Sequence, residues 1–541
     1  MIDITIAWIA LPFFVGFVIY LLPKLDRPLA LVMGLISAAY AGKIFISEPL
    51  DIQLLDNFGV TLLVNQLSSF FILTNALVTI AIIFYCWGSG KTAFFYTQVI
   101  ILHGSVNATF VCADFISLYV ALEVISIAAF LLIAYPRTDR SIWVGLRYLF
   151  VSNTAMLFYL MGAVLVYQAN KSFQYEGLLN APPEAVALIF LGLLAKGGIF
   201  VSGLWLPLTH SESESPVSAM LSGVVVKAGV FPLVRCALIL EGIDPIVRFF
   251  GVSTALLGVG YAVFEKDTKR MLAFHTISQL GFVLAAPNVG GFYALTHGLV
   301  KSALFLIAGV LPSRNFKELQ HQPIDTKIWI ALVIASFSIS GFPLLSGFGA
   351  KVLTTKNLLP WQVIAMNIAA LGTAISFAKF IFLPHKTSPP TPQPLPQPLN
   401  LSPSPSPTRR GEKGEEMGEI PTEGRNTNGG EKYQQRGVIQ QKGGNGGKKI
   451  QPGFWWAMVI LLGGLVGANV FYYEAYTLEN TIKPLLTIAV GWIAYLVIFK
   501  KSKIKLPREI EKFDHLIGIM SLMLILLFWT IWTQSEAYAL A

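Results

Sequence analysis

The sequence predicts an all-α integral membrane protein with about sixteen transmembrane helices. Of its 541 residues, 54% are hydrophobic and only 13% are charged, whereas soluble domains carry about 25% charged residues. Apolar runs long enough to cross a bilayer, which takes about 20 residues, recur along the chain. We therefore expect a multi-pass protein of a bacterial plasma membrane or of an energy-transducing internal membrane, with the lipid bilayer as its solvent.

Sixteen apolar segments meet this length requirement. They are residues 4–22, 28–46, 66–87, 93–112, 114–135, 142–168, 184–208, 215–241, 244–264, 270–287, 289–312, 327–353, 357–383, 454–473, 481–499 and 514–534. Loop charge supports this assignment, because seventeen Lys and Arg residues flank one side and four the other, namely Lys171, Arg248, Lys356 and Lys483. The positive-inside rule then places both termini away from the cytoplasm. The net charge of +9 is explained by orientation in the membrane, so we expect no nucleic-acid partner.

The segments divide the chain into five parts. We expect N-terminal helices 1–3 in residues 1–91, a first five-helix repeat in 92–241, a second in 242–385, a linker in 386–452, and three C-terminal helices in 453–541. An odd number of spans per repeat inverts the second relative to the first. The linker is rich in Pro, Ser, Gly and charge, which predicts a disordered tether on the cytoplasmic side.

Ionisable residues within the spans are the candidate functional residues. A charged side chain at mid-bilayer costs about 2.5–3.5 kcal/mol and is rarely kept without a function. The candidates are Glu123 in span 5, Lys196 in span 7, Lys227 in span 8, His275 in span 10, His297 and Lys301 in span 11, and Lys351 in span 12. A buried, hydrogen-bonded core histidine is the structural alternative for His275 and His297. For Lys379, near the end of span 13, the alternative is snorkelling to the interface.

Buried lysines suit proton transfer. Burial disfavours a charged ammonium group, and a nearby carboxylate favours it. A lysine whose carboxylate partner approaches and withdraws is therefore a switchable proton site. Spans 7 and 12 are also rich in Gly and Pro, which predicts broken helices at matching places in the two repeats. Such interruptions survive in a membrane only inside protein or beside a watery cavity, and they often mark transport sites.

The stretches that hold these residues match a known family. They read ADFISLYVALEVIS, LLAKGGIFVSGLWLPLTHSESESPVSAMLSGVVVKAGVFPLVR, DTKRMLAFHTISQLGF, LTHGLVKSALFLIAG and SGFPLLSGFGAKVL. Together these stretches, which span roughly residues 65 to 385, resemble the antiporter-like subunits of respiratory complex I and of Mrp cation/proton antiporters. The resemblance implies a proton-translocating subunit that works with other membrane subunits, with exchange for Na⁺ left open. It assigns proton translocation to Glu123, Lys196, Lys227, His297, Lys301 and Lys351.

Two features depart from the family pattern. The loop after WLP reads THSESES where an Ala-Pro-rich stretch is common, and the linker and last spans are atypical. No long amphipathic lateral helix is apparent near the C-terminus, which argues against the largest, distal subunit type. An Mrp D-like and a complex I chain-4-like protein both fit the sequence.

Three rival functions remain at this point. A polytopic membrane enzyme could use His275 or His297 as a base, although its polar residues should cluster at a membrane surface. A redox subunit would need a nucleotide or cluster motif, and neither a P-loop nor a group of cysteines is present. A non-transporting scaffold would not need buried lysines. We expect no cofactor and no metal, and leave open whether the chain serves an NAD(P)H- or ferredoxin–quinone oxidoreductase-type translocase.

Overall fold

The structure is a computed structural model that describes residues 1–55, 59–386, 450–501, 504 and 506–540. Helices dominate the described residues, and the four β-strands among them are short. The prediction of an all-α membrane protein is confirmed. Nearly all of the predicted linker 386–452 lies outside the described residues.

The N-terminal part begins with two helices and a hairpin. Its elements are α1 Ile2–Leu21, α2 Asp26–Phe45, β1 Leu50–Leu55, β2 Gly59–Val64 and α3 Gln66–Cys86. The two strands are antiparallel, with Leu50 opposite Val64. Asn65 caps α3, since its side chain accepts a hydrogen bond from the Ser68 N–H at 3.2 Å. Helix α2 packs against α3.

The first predicted repeat contains seven helices. They are α4 Ala93–Thr109, α5 Phe115–Ile133, α6 Asp139–Asn170, α7 Pro183–Gly197, α8 Leu206–Glu212, α9 Ser215–Met220 and α10 Val226–Ile239. A 3₁₀ segment, Phe200–Trp205, lies between α7 and α8, and a π-helical turn, Leu221–Val225, joins α9 to α10. Predicted spans 7 and 8 are therefore both irregular.

The second predicted repeat also contains seven helices. They are α11 Asp244–Phe264, α12 Thr268–Ala285, α13 Gly290–Ala308, α14 Phe316–Leu319, α15 Thr326–Ser340, α16 Ser346–Lys356 and α17 Pro360–Ile381. Two short strands, β3 Ile324–Asp325 and β4 His385–Lys386, pair in parallel beside α15 and α17. Predicted span 12 is divided between α15 and α16.

Both interruptions begin at a glycine in the left-handed region. Gly198 has φ +69° after α7, and Gly341 has φ +83° after α15. Other residues adopt this conformation at a cost, so glycine is the usual helix terminator there. The interrupted helix occupies the same place in each block, as the sequence predicts. The inverted orientation of the two blocks stays a prediction.

The C-terminal part adds α18 Pro452–Asn469, α19 Leu478–Val497 and α20 Phe513–Leu540. Helix α18 packs against α3 and α13, α19 against α17, and α20 against α7. The segment before α20 is tied to the core by ion pairs, because Arg270 binds Glu265 at 3.1 Å and Glu511 at 2.5 Å. Arg147 also donates a hydrogen bond to the Glu511 carbonyl.

Thirteen helical segments within the described ranges are long and apolar enough to cross a membrane. The other three predicted spans also hold helices: α4 has only 17 residues, α12 carries Lys269 and Arg270 in its first turn, and α15 and α16 are separate. The multi-pass architecture is confirmed, and the count of sixteen is not.

Candidate functional site

Lys196 lies in the last turn of α7 and points into a cradle made by α5 and α6. Its ammonium group donates to the Leu122 carbonyl at 2.9 Å, to the Ser152 hydroxyl at 2.8 Å and to the Ser126 hydroxyl. The two hydroxyls lie 3.1 Å apart. An ammonium group has three N–H bonds, so the Lys196 cradle, formed by Leu122, Ser126 and Ser152, satisfies all of them.

Glu123 neighbours this cradle on α5 but does not bind Lys196. Among the described residues, none of the ion pairs involves Glu123. Its side chain is half-buried, and its Oε1 atom is buried without a hydrogen-bond partner within the described part of the chain. The structure thus holds Lys196 on neutral oxygens while the adjacent carboxylate stands apart.

Lys227 is fully buried on α10, two residues after the π-helical turn. Its ammonium group donates to the Ser222 carbonyl at 3.3 Å. The helices of Lys196 and Lys227 touch backbone to backbone, because a Cβ added at Gly229 would lie 2.3 Å from the Gly197 amide nitrogen. Glycine at both positions permits this approach, which places two candidate lysines on directly contacting helices.

Lys301 and His297 lie on α13, four residues apart and both buried. Lys301 donates to the Leu272 carbonyl of α12. Neither ring nitrogen of His297 has a hydrogen-bond partner among the described residues. Gly298 of the same helix faces Lys227, since a Cβ there would lie 3.5 Å from the Lys227 Cε atom. The α13 candidates therefore adjoin Lys227.

Lys351 lies on α16, after the break in span 12. Its chain passes Gly341, where an added Cβ would lie 2.8 Å from the Lys351 Cδ atom. Its ammonium group has no hydrogen-bond partner in the described ranges and lies 5.6 Å from the centre of the Phe282 ring on α12. His275, also on α12, is buried 4.7 Å from the Phe377 ring, and both its nitrogens likewise lack partners there.

Helix α12 contacts or carries most of the candidate residues in the second predicted repeat. It supplies the carbonyl that binds Lys301, the ring beside Lys351, and His275. Lys196 and Glu123 form a separate group on α5, α6 and α7. The sequence-predicted residues fall into these two groups, which meet where α7 contacts α10.

Lys379, near the end of α17, reaches the end of the neighbouring helix α11. Its ammonium group donates to the carbonyls of Ala262 and Glu265, at 3.1 and 2.8 Å, at the end of α11. Cations are favoured at helix C-termini, where free carbonyls carry partial negative charge. Lys379 is therefore explained by a structural contact between α17 and α11.

The THSESES stretch, expected to be a loop, forms the end of α8 and the start of α9 and carries its own ion pairs. Glu214 binds Lys91 at 2.6 Å and Glu212 binds Arg140 at 3.3 Å. Lys269 donates to the Ser213 carbonyl at 2.8 Å. These contacts give the loop a defined conformation in place of the Ala-Pro-rich stretch.

Sequence reasoning missed several polar residues of the site. His210, on α8, is fully buried against the Phe305 ring at 5.0 Å, and neither of its nitrogens has a partner among the described residues. The sequence did offer one indication of His210, because a histidine closely follows predicted span 7. Ser126, Ser152, Ser222 and Thr276 gave no signal, because single hydroxyls are common in membrane helices.

Comparisons with known proteins cover this region. The profile of the transmembrane region shared by NADH:quinone oxidoreductases and Mrp antiporters matches residues 112–376. All seven candidate residues, from Glu123 to Lys351, lie within that match.

Two curated relatives and one solved structure are similar to the chain. The D-type Na⁺/H⁺ antiporter subunit of Alkalihalophilus pseudofirmus is 25% identical over 427 residues, covering 70% of this chain and 85% of that protein. The N-type NADH-quinone oxidoreductase subunit of Desulforudis audaxviator is 29% identical over 366 residues, covering 60% and 72%. One protein of the Mrp complex from Dietzia sp. DQ12-45-1b superposes with a TM-score of 0.66 at 19% identity, covering 95% and 99%. The structural match shows a shared fold.

Proposed function

We propose that the chain is a membrane subunit of the NADH:quinone oxidoreductase/Mrp antiporter family and that it translocates protons within a multi-subunit membrane complex. The proton path comprises Glu123, Lys196, Lys227, Lys301 and Lys351, with His275 and His297 beside it. The two blocks of five predicted spans, 92–241 and 242–385, act as the transporting units, flanked by helices in 1–91 and 453–541.

One observation carries this proposal: the four candidate lysines are buried without a carboxylate partner among the described residues. Lys196, Lys227, Lys301 and Lys351 are 3%, 0%, 0% and 9% exposed, and none forms an ion pair with a described residue. A structural buried charge is normally paired, because an unpaired charge in a medium of low polarity is costly. Lysines without a fixed counter-ion can instead gain and lose protons.

Membrane-subunit partners are supported by the position of Glu123. This residue is half-buried in the middle of α5, and its neighbours Val120 and Ile127 are 58% and 52% exposed. A carboxylate facing lipid would be costly. We infer that another membrane subunit covers this face, as expected for a chain whose curated relatives are named as antiporter and oxidoreductase subunits. Exchange of the protons for Na⁺, within an antiporter or an oxidoreductase complex, is part of the same proposal.

The test is proton uptake by vesicles that contain the assembled complex. We expect Lys196→Ala and Lys301→Ala to abolish uptake while the subunits still co-purify. Lys379→Gln is the matched control, since it replaces a partly buried lysine on α17 by a group that can still donate to the α11 carbonyls. Uptake at the wild-type rate by both Ala variants would refute the proposal, as would equal loss in the control. Imposing a Na⁺ gradient on the same vesicles tests exchange.

A further inference from the structure

Two buried hydroxyl groups lie between Lys227 and Lys301. Ser222, in the π-helical turn, and Thr276, on α12, are both 0% exposed, and their oxygens are 2.6 Å apart. The Ser222 carbonyl accepts from Lys227 at 3.3 Å, and the Leu272 carbonyl accepts from Lys301. Thr276 also donates to the Leu272 carbonyl, at 3.1 Å. Each lysine thus binds a backbone carbonyl next to the hydroxyl pair: Lys227 binds that of Ser222 itself, and Lys301 binds the one that Thr276 also contacts.

The direction of these hydrogen bonds follows from donor counting. A carbonyl only accepts, and a hydroxyl has one hydrogen to donate. When Thr276 donates its hydrogen to Leu272, Ser222 donates to Thr276, and the hydroxyl hydrogens then point from the Lys227 side toward the Lys301 side.

We propose that Ser222 and Thr276 form a hydroxyl bridge that passes protons from Lys227 to Lys301; this rests on the proposed function. Lys227 moves from the Ser222 carbonyl to the hydroxyl of the same residue and gives it a proton. Ser222 passes its own proton to Thr276. The Thr276 hydroxyl turns from the Leu272 carbonyl toward the lone pair of neutral Lys301 and passes its own proton there. One N–H bond breaks at Lys227 and one forms at Lys301, and each hydroxyl ends with one hydrogen. Rotation of both hydroxyls then resets the bridge.

The local backbone brings the bridge together. A π-helical turn is rare and often lies at a functional site, and here Leu221–Val225 carries Ser222. Gly223 lets α13 approach, because a Cβ there would lie 2.2 Å from the Ser302 hydroxyl. Ser302 itself donates to the Ala219 carbonyl at 3.1 Å and takes no part in the bridge. Ser302 is therefore a nearby buried hydroxyl outside the bridge, which makes it a suitable control.

The experiment measures proton uptake by the assembled complex in vesicles. Thr276→Val keeps the shape of the side chain but removes the hydroxyl, and we expect uptake to fall about tenfold or more, as when a proton-transfer group is lost. Thr276→Ser keeps the hydroxyl and should restore most of the rate. Ser222→Ala should also slow uptake, whereas Ser302→Ala should not. Melting temperature and retention of partner subunits should change little in all four variants.

The outcomes separate the bridge from the wider function. Normal uptake in Thr276→Val and Ser222→Ala, with uptake abolished in Lys227→Ala and Lys301→Ala, overturns the bridge and leaves proton translocation standing. Normal uptake in the lysine variants as well overturns the proposed function. A loss of uptake in Thr276→Val that only matches its loss of assembled complex, or that Thr276→Ser fails to reverse, makes the hydroxyl structural and also overturns the bridge.

Discussion

Replacing Ser152 by alanine should slow proton translocation by releasing Lys196 from its cradle. Ser152 supplies one of the three acceptors of the Lys196 ammonium group, at 2.8 Å. A hydrogen bond to a charged group contributes about 1.5–3 kcal/mol. Each 1.4 kcal/mol changes an equilibrium about tenfold. The substitution should therefore move Lys196 from the cradle toward Glu123 by a factor of roughly ten to one hundred.

This shift matters if Lys196 must occupy both positions during each cycle. When one position becomes about tenfold rarer, steps that start from it should slow by a similar factor. We expect about tenfold slower proton uptake in vesicles for Ser152→Ala. The double variant Ser126→Ala/Ser152→Ala should lose more, because only the Leu122 carbonyl then remains.

A matched control isolates the cradle from the packing of α5. Ser105 is buried on α4 and donates to the Ala121 carbonyl of α5 at 2.7 Å, without contacting Lys196. Ser105→Ala should therefore keep near-normal uptake, and Ser152→Thr should keep most of it by retaining the hydroxyl. Wild-type uptake by the Ser126→Ala/Ser152→Ala variant, under conditions where Lys196→Ala is inactive, would show that the cradle has no part in transport.

Three further predictions concern charge and the linker. Glu123→Gln should abolish uptake with the complex still assembled, because the amide cannot act as the charged partner of Lys196; vesicles with wild-type uptake would contradict this. Lys227→Arg, Lys301→Arg and Lys351→Arg should lose most uptake, since Arg keeps its charge but cannot release a proton. Near-normal rates would make these lysines fixed charges. Deleting 390–445, which lies outside the described residues, should leave uptake nearly unchanged because a solvated tether contributes little packing; failure of the complex to assemble would identify a docking element instead.

The sequence revealed the lysines because charge stands out against an apolar background. Lys196, Lys227 and Lys301 each have long apolar flanks, so their burial followed from the length of the spans alone. The breaks were predictable for a similar reason, since Gly198 and Gly341 occur within runs otherwise long enough to span a membrane. These signals are local in the sequence and need no knowledge of how the helices pack.

The partners of the lysines could not be predicted in this way. Ser152 meets Lys196 across 44 residues of sequence, and Ser222 meets Thr276 across 54. A hydroxyl in a membrane helix can also bond its own backbone four residues earlier, as Ser126 does with Leu122. Only tertiary packing separates these roles. The partner of Lys379 could not be predicted either, because its binding to the end of α11 depends on which helix terminus lies beside it.

The number of hydrogen-bond acceptors bound by each lysine falls from three to none along the proposed path. Lys196 has three hydrogen-bond acceptors, Lys227 and Lys301 have one each, and Lys351 has none among the described residues. An ammonium group needs acceptors when it is buried, so this conformation accommodates a proton best at Lys196. A proton reaching Lys351 requires new acceptors there.

We expect the break in span 12, which adjoins Lys351, to supply those acceptors by moving. Leu344 within the break has φ +80°, a conformation that costs a residue other than glycine about 1–3 kcal/mol. It is held by contacts from the C-terminal part: its N–H donates to the Tyr476 hydroxyl at 3.2 Å, and its carbonyl accepts from Asn469 at 3.3 Å. Tyr476 in turn donates to Asn469 at 2.7 Å. Because Asn469 at the end of α18 and Tyr476 before α19 bind this strained segment, the C-terminal part helps to hold the break in its present conformation.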